Sequence, residues 1–204
     1  MWQQLAGDLL RSEADGRPLI AVGASVGGML AYDAAAATGV PSALVATCLL
    51  DPGDAAVRAR LSRHPMLGAI AGPMLRILAG PLARLRIPIQ WLANISAIAN
   101  DPALVRTVLH DRRGGGGRIP LGWMRSYLES QPAVDPKRFT SCPVLLVHPE
   151  EDRWTPVAVS MPFFDRIAAP KRLVLLQGAG HFPVEEPGVS QLVDAVRELI
   201  DSLL

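Results

Sequence analysis

The chain has 204 residues, 50% of them hydrophobic and 19% charged, with a net charge of +1. That length and apolar content suffice for one full hydrophobic core and exclude a disordered chain. The near-neutral balance gives no electrostatic argument for nucleic acid or acidic partners.

In chain order, residues 2–11 read as a short amphipathic helix with Leu5, Leu9 and Leu10 on one face. Asp15-Gly16-Arg17-Pro18 is a turn. Leu19-Ile20-Ala21-Val22 is an apolar run of the kind that forms a strand buried on both faces. Residues 26–38 read as a helix whose small first turn packs close to a sheet, and Gly39 supplies its stop signal. Residues 43–49 form a second strand, and residues 144–147 and 173–176 two more. Between the last two, Thr155 is placed to cap a helix with Pro156 at its first position, and Pro162 kinks or shortens it. A final helix starts near Gly188, with Leu192, Val196, Leu199, Ile200 and Leu203 as its apolar stripe.

Alternating strands and helices predict right-handed crossovers in a parallel sheet, an α/β fold. Residues 54–137 break the alternation. They are rich in Ala, Leu, Ile and Pro, helical in tendency and without a convincing strand. They read as a helical cap or lid inserted after the second strand. The expected organisation is therefore a first core part (1–53), the cap (54–137) and a second core part (138–204). Gly114-Gly115-Gly116-Gly117 reads as a flexible hinge, and no internal repeat stands out.

Arginine outnumbers lysine 18 to 2 and alanine is abundant, as in proteins coded by GC-rich bacterial genomes. Cys48 and Cys142 are expected at opposite ends of the sheet, too far apart to bridge, which fits a reducing cytoplasm. Met1-Trp2-Gln3-Gln4 does not start a signal peptide, and the longest uncharged run, 34–50, is broken by Thr38-Gly39-Val40-Pro41, so no membrane span is expected.

Three stretches carry chemistry. Gly23-Ala24-Ser25-Val26-Gly27 follows the first strand. A serine hydroxyl is a weak nucleophile and needs a base beside it. A sharp strand-to-helix turn lifts such a serine above the sheet, with glycines at −2 and +2 letting the backbones pass closely. The following helix N-terminus offers the Val26 N–H to a developing oxyanion. The alternative is a tight turn with an idle serine.

Asp152, in His148-Pro149-Glu150-Glu151-Asp152-Arg153-Trp154-Thr155-Pro156, lies just past the third core strand. A buried carboxylate there can hold a histidine tautomer and stabilise its imidazolium. Glu150, Glu151 and Asp51, at the end of the second strand, are competing acids. His181, in Gly178-Ala179-Gly180-His181, follows the last strand in a loop whose glycines can bring the ring over the nucleophile. His148 reads as structural; His64 and His110 receive no role. No CxxC or HExxH offers a metal site. The glycine run at Gly114 lacks the Lys-Ser/Thr of a phosphate loop, and Gly23–Gly28 lacks the dinucleotide spacing, so neither metal nor cofactor is expected.

Taken together, Gly-x-Ser-x-Gly-Gly (Gly23 to Gly28), His-x-x-x-Asp-x-x-x-Pro (His148 to Pro156) and Gly-x-Gly-His (Gly178 to His181) resemble the three signatures of α/β-hydrolases of the serine esterase, lysophospholipase and serine-aminopeptidase-like group. Pro149 stands where that family has glycine. The serine nucleophile sets the chain apart from the dehalogenase and epoxide-hydrolase branches. The resemblance implies a mostly parallel sheet corresponding to family strands five to eight only, a helical cap insertion, and the triad Ser25, Asp152 and His181. It also implies that the strands preceding the nucleophile, and the loop donating a second oxyanion N–H, are lacking. Loss of one such donor costs ~10²–10³ in rate. Residues 19–22 would then form an exposed apolar edge, a candidate for homo-oligomerisation.

The leading functional expectation is a serine hydrolase cleaving a carboxylic ester with an apolar part, a small molecule, through an acyl-enzyme on Ser25. The substrate class rests on apolar cap residues such as Met66, Ile70, Met74, Ile77 and Trp91, which could equally pack the cap helices. Alternatives keep the triad but cleave a thioester, amide or carbon–carbon bond, or make the chain an inactive truncated fragment or interaction module.

Overall fold

A computed structural model describes residues 2–78 and 80–204. The chain divides into two compact units. One comprises Met1–Leu50, Pro132–Glu151 and Pro156–Leu204; the other comprises Asp51–Gln131 and the short segment Asp152–Thr155.

The first unit opens with α1 (Trp2–Glu13), β1 (Ile20–Gly23), α2 (Val26–Thr38) and β2 (Ala43–Ala46). The second unit holds α3 (Ala55–Leu61), α4 (Pro65–Leu78), β3 (Arg86–Pro88), α5 (Ile89–Leu92), α6 (Pro102–His110), β4 (Arg118–Pro120) and α7 (Leu121–Leu128). The chain then returns through β5 (Val144–Pro149), α8 (Val157–Phe164), β6 (Lys171–Leu176) and α9 (Gly188–Asp201).

Four strands form a parallel sheet in the order β1-β2-β5-β6. β5 is buried along its whole length, which is why it reads as an unbroken apolar run, Val144 to Val147. Period-two alternation divides the sheet's side chains between two layers. Leu44, Ala46, Val144 and Leu146 face Met29, Tyr32 and Ala35 of α2 and Phe163 and Phe164 of α8. Val45, Leu145 and Val147 face the other side, where Leu192, Ala195, Val196 and Leu199 of α9 cover them. Gly39 ends α2 in the left-handed conformation (φ 63°), its N–H donating to the Ala35 carbonyl, a conformation a side chain resists.

The helix α2 also grips the chain where it returns from the second unit. Tyr32 Oη donates to the Val134 carbonyl (3.0 Å), and the buried Asp33 accepts from the Ala133 N–H (2.8 Å) and from Gln3 Nε2 (2.6 Å). Two successive helical residues thus hold two successive residues of the return segment.

Some expectations are corrected. α1 packs through Gly7 and Leu10, whereas Leu5 and Leu9 stay exposed. A side chain at Gly7 would meet Thr38 of α2 at 3.2 Å, so a close helix crossing replaces the leucine face. β2 ends at Ala46, and the Thr47 N–H makes the last rung to β1 by donating to the Gly23 carbonyl (3.1 Å). Thr155 does not cap α8; its hydroxyl has a stronger acceptor in the Asp152 carboxylate.

The second unit contains a strand pair that its composition hides. Arg86-Ile87-Pro88 pairs antiparallel with Arg118-Ile119-Pro120, Ile87 opposite Ile119. Three residues are too few to display a period, and proline suits a two-stranded ribbon because one side of each strand needs no partner. Around it, Leu75 of α4 and Leu121 of α7 are buried together, with Ile87, Met124 and Leu128 packed against them. The glycine run is a packed turn, not a hinge. Its N–H groups at Gly114 and Gly116 bond the Asp111 carbonyl. A Cβ at Gly115 would lie 2.6 Å from Ile95 Cγ2, and one at Gly116 2.5 Å from the Leu109 carbonyl oxygen. At Gly115 and Gly116 the end of α6 and Ile95 leave no room for a side chain.

Among the described residues, no helix is long and apolar enough to cross a membrane.

Candidate functional site

Ser25 stands in the turn between β1 and α2, and its backbone is unusual. With φ 52° and ψ −127°, it is the one non-glycine residue among those described with positive φ. Such a conformation costs about 1–3 kcal/mol and persists only where its surroundings over-determine it. Three contacts do so here. A Cβ at Gly23 would fall 2.2 Å from the Gly27 carbonyl oxygen, and one at Gly28 would fall 2.1 Å from the Cys48 carbonyl oxygen. The Ser25 N–H donates to Thr47 Oγ1 on the neighbouring strand end (3.0 Å). The glycine at +2, Gly27, has nothing within 4 Å of its missing Cβ. A side chain is excluded at −2 and +3, while at +2 the backbone carbonyl makes the close approach and a side chain would have room.

His181 lies in the loop between β6 and α9 and is 5% exposed. Gly178 takes φ +69° at the start of this loop. Glu185 Oε2 accepts the Gly180 N–H (3.1 Å), tying the residue before His181 to the loop's far side. The result is that His181 Nε2 sits 2.9 Å from Ser25 Oγ. With the ring proton on Nδ1, the serine hydroxyl donates to Nε2, which can take its proton. Val26 opens α2, and a first-turn N–H of a helix has no intrahelical acceptor.

Asp152 follows β5 by three residues and is 4% exposed. Its Oδ1 accepts the N–H groups of Trp154 (2.9 Å) and Thr155 (2.7 Å); its Oδ2 accepts from Thr155 Oγ1 (2.8 Å). Three donors within three residues fix the carboxylate in one rotamer. The segment is anchored to α3, with Trp154 Nε1 donating to the Leu61 carbonyl (3.1 Å) and Arg60 to the Arg153 carbonyl (3.0 Å).

The other titratable residues near these positions differ. Glu150 and Glu151 are exposed. Asp51 caps its own turn, accepting the Gly53 N–H (2.8 Å). His148 is fully buried with Nδ1 3.0 Å from the Pro149 carbonyl oxygen. Both thiols are buried, and burial pushes Cys142 up to about 11. Among the described residues no three His, Cys, Asp or Glu side chains cluster to hold a metal ion.

Three residues that support this arrangement went unread in the sequence: Thr47, Thr155 in its contact to Asp152, and Glu185. Each acts through a local or cross-strand hydrogen bond that no motif spells out.

The sequence profile of the α/β-hydrolase family matches residues 2–194, and the chain belongs to that family. Solved structures share the fold. A monoacylglycerol lipase of Paleococcus ferrophilus superposes with a TM-score of 0.71 at 17% identity, over 99% of this chain and 74% of that one. Est1E of Butyrivibrio proteoclasticus gives 0.58 at 17% identity, over 98% and 67%. A thermophilic esterase of Thermogutta terrifontis gives 0.60 at 16% identity, over 100% and 73%. No curated protein sequence matches the chain significantly.

Proposed function

We propose that this α/β-hydrolase is a serine hydrolase that cleaves a carboxylic ester with an apolar acyl or alcohol part. The observation that carries the reading is the 2.9 Å contact between Ser25 Oγ and His181 Nε2 on a strained elbow. His181 takes the hydroxyl proton as Oγ attacks the ester carbonyl. The oxyanion forms against the Val26 N–H. Collapse breaks the ester bond, and the imidazolium returns its proton to the departing alkoxide. Water then attacks the acyl-enzyme by the same route, releasing the acid and restoring Ser25. Asp152 is the acid we assign to the imidazole, holding its tautomer through the ring's other nitrogen. Its burial and three donors suit a fixed orienting carboxylate. The preference for an apolar part rests on the apolar composition of residues 51–131 and on the lipase and esterase names of the fold neighbours.

The test is labelling of the purified chain by a fluorophosphonate, followed by a panel of esters, thioesters and amides of increasing chain length. Stoichiometric labelling lost in Ser25→Ala, with esters the fastest substrates, supports the reading. Labelling that survives Ser25→Ala sinks it.

We also propose that copies associate through β1, which among the described residues pairs with β2 alone and leaves Val22 69% exposed. Light scattering should find species larger than one chain, reduced by Val22→Lys. A concentration-independent monomer overturns this.

A further inference from the structure

Charge is segregated between the two units. Residues 51–131 with 152–155 carry 12 arginines against six acidic residues, a net of +6. The remaining residues carry eight basic and 13 acidic side chains, a net of −5. Within the basic unit the imbalance is concentrated: residues 55–100 contain six arginines and no Asp or Glu.

The helix α4 runs through the middle of that stretch. One side of it packs. Leu75 is buried with Leu121 of α7, and a Cβ at Gly68 would fall 2.5 Å from the Arg58 carbonyl oxygen of α3. The opposite side is apolar and open. Met66 is 86% exposed, Ile70 55%, Met74 41% and Ile77 78%. At 3.6 residues per turn these four fall within about 80° of arc, centred about 140° round the helix from Leu75. A surface helix normally turns polar residues outward; this one turns out two methionines and two isoleucines. Arg63 before it and Arg84 and Arg86 after it are exposed, and so is Trp91 beyond them (66%).

We infer that this face of α4, with its flanking arginines, docks on an anionic lipid surface. An exposed apolar stripe of this kind marks an interaction site. The chemistry of the neighbours selects the partner. A helix lying in a lipid interface buries its apolar face at the acyl boundary, while arginines meet anionic headgroups and tryptophan sits at headgroup level. A nucleic acid would use the arginines but not the Met–Ile face. A second copy of this basic unit would bring arginine against arginine. The inference is independent of the ester-hydrolase reading, because its readout is binding and not turnover.

The experiment is sedimentation of the 204-residue chain with vesicles of phosphatidylcholine alone and of equal parts phosphatidylcholine and phosphatidylglycerol. Binding to the anionic vesicles should be at least about tenfold tighter than to the neutral ones and should weaken from about 0.1 M to 1 M salt. Arg84→Gln with Arg86→Gln should weaken it by about tenfold or more. Met66→Gln with Ile70→Gln and Ile77→Gln should abolish it, with an unchanged thermal transition certifying the fold. Equal binding to both vesicles, no binding, or binding indifferent to both sets of substitutions overturns the inference. So does vesicle-independent self-association lost with the Ile70 and Ile77 changes. A shift in chain-length preference on soluble esters without an effect on vesicles, or retention on single-stranded nucleic acid in place of vesicles, overturns it as well.

Discussion

Thr47 braces the Ser25 turn across the end of the sheet with both its side chain and its backbone. The Ser25 N–H donates to Thr47 Oγ1, while the Thr47 N–H donates to the carbonyl of Gly23 two residues before the serine. The Ser25 turn is therefore fixed from the end of β2 as much as from β1. Thr47→Val keeps the shape but removes the acceptor, leaving the Ser25 N–H without it. We expect a loss of about 1–3 kcal/mol in stability and a fall in kcat with little change in KM, while Thr47→Ser retains both. Chemical denaturation and steady-state kinetics on the three proteins check this. Equal kcat in Thr47→Val would show that the turn holds itself.

The strain at Ser25 predicts a trade. Ser25→Gly removes the Cβ that resists φ 52° and should raise stability by about 1 kcal/mol while abolishing hydrolysis. Ser25→Ala keeps the Cβ and should not gain as much. Thermal melts of the three proteins, side by side, give the order; a Ser25→Gly less stable than wild type would mean that the φ costs nothing.

The two elbow glycines should behave oppositely. Gly28→Ala drives a methyl group into the Cys48 carbonyl and should destabilise the protein by several kcal/mol, beyond the ~1–3 typical of overpacking because backbone cannot rotate aside. Gly27→Ala enters open space in the first turn of α2 and should be neutral or stabilising by up to ~1 kcal/mol through helix propensity. Soluble yield and melting temperature separate the two.

Asp152→Asn should leave the fold standing and cut turnover by about four orders of magnitude, since an amide cannot enforce the tautomer that a carboxylate does. Thr155→Val, which removes one of the donors to Oδ2, should act in the same direction and more weakly. Single-turnover acylation with a chromogenic ester reads both. Near-wild-type acylation in Asp152→Asn would transfer the acid role to another residue.

The sheet and the turn at Ser25 were legible because their signals are local. An apolar run between Pro18 and Gly23, a helix stopped at Gly39 and a buried run from Val144 each announce an element by composition alone. The features that went unread depend on partners distant in the chain. Thr47 and Thr155 are ordinary hydroxyls until the fold supplies Ser25 and Asp152. The Arg-Ile-Pro strands are too short to carry a pattern, and the tetraglycine segment has the composition of a hinge but the environment of a close-packed turn. Leu5 and Leu9 obey helical spacing, yet the crossing at Gly7 decided which face of α1 meets the protein.

The clasp from Tyr32 and Asp33 to Val134 and Ala133 also bears on how such a chain diversifies. It joins residues about a hundred positions apart, and the chain it brackets holds the end of α2, the strand β2 and the whole excursion of residues 51–131. The entropy of closing such an excursion grows only with the logarithm of its length, about 0.6 kcal/mol for a doubling. Lengthening or replacing the excursion is thus thermodynamically inexpensive, provided the two residues at each side of the clasp persist. Selection can remodel residues 51–131 while β2 and Thr47 keep bracing the Ser25 turn and the serine and histidine keep their 2.9 Å contact.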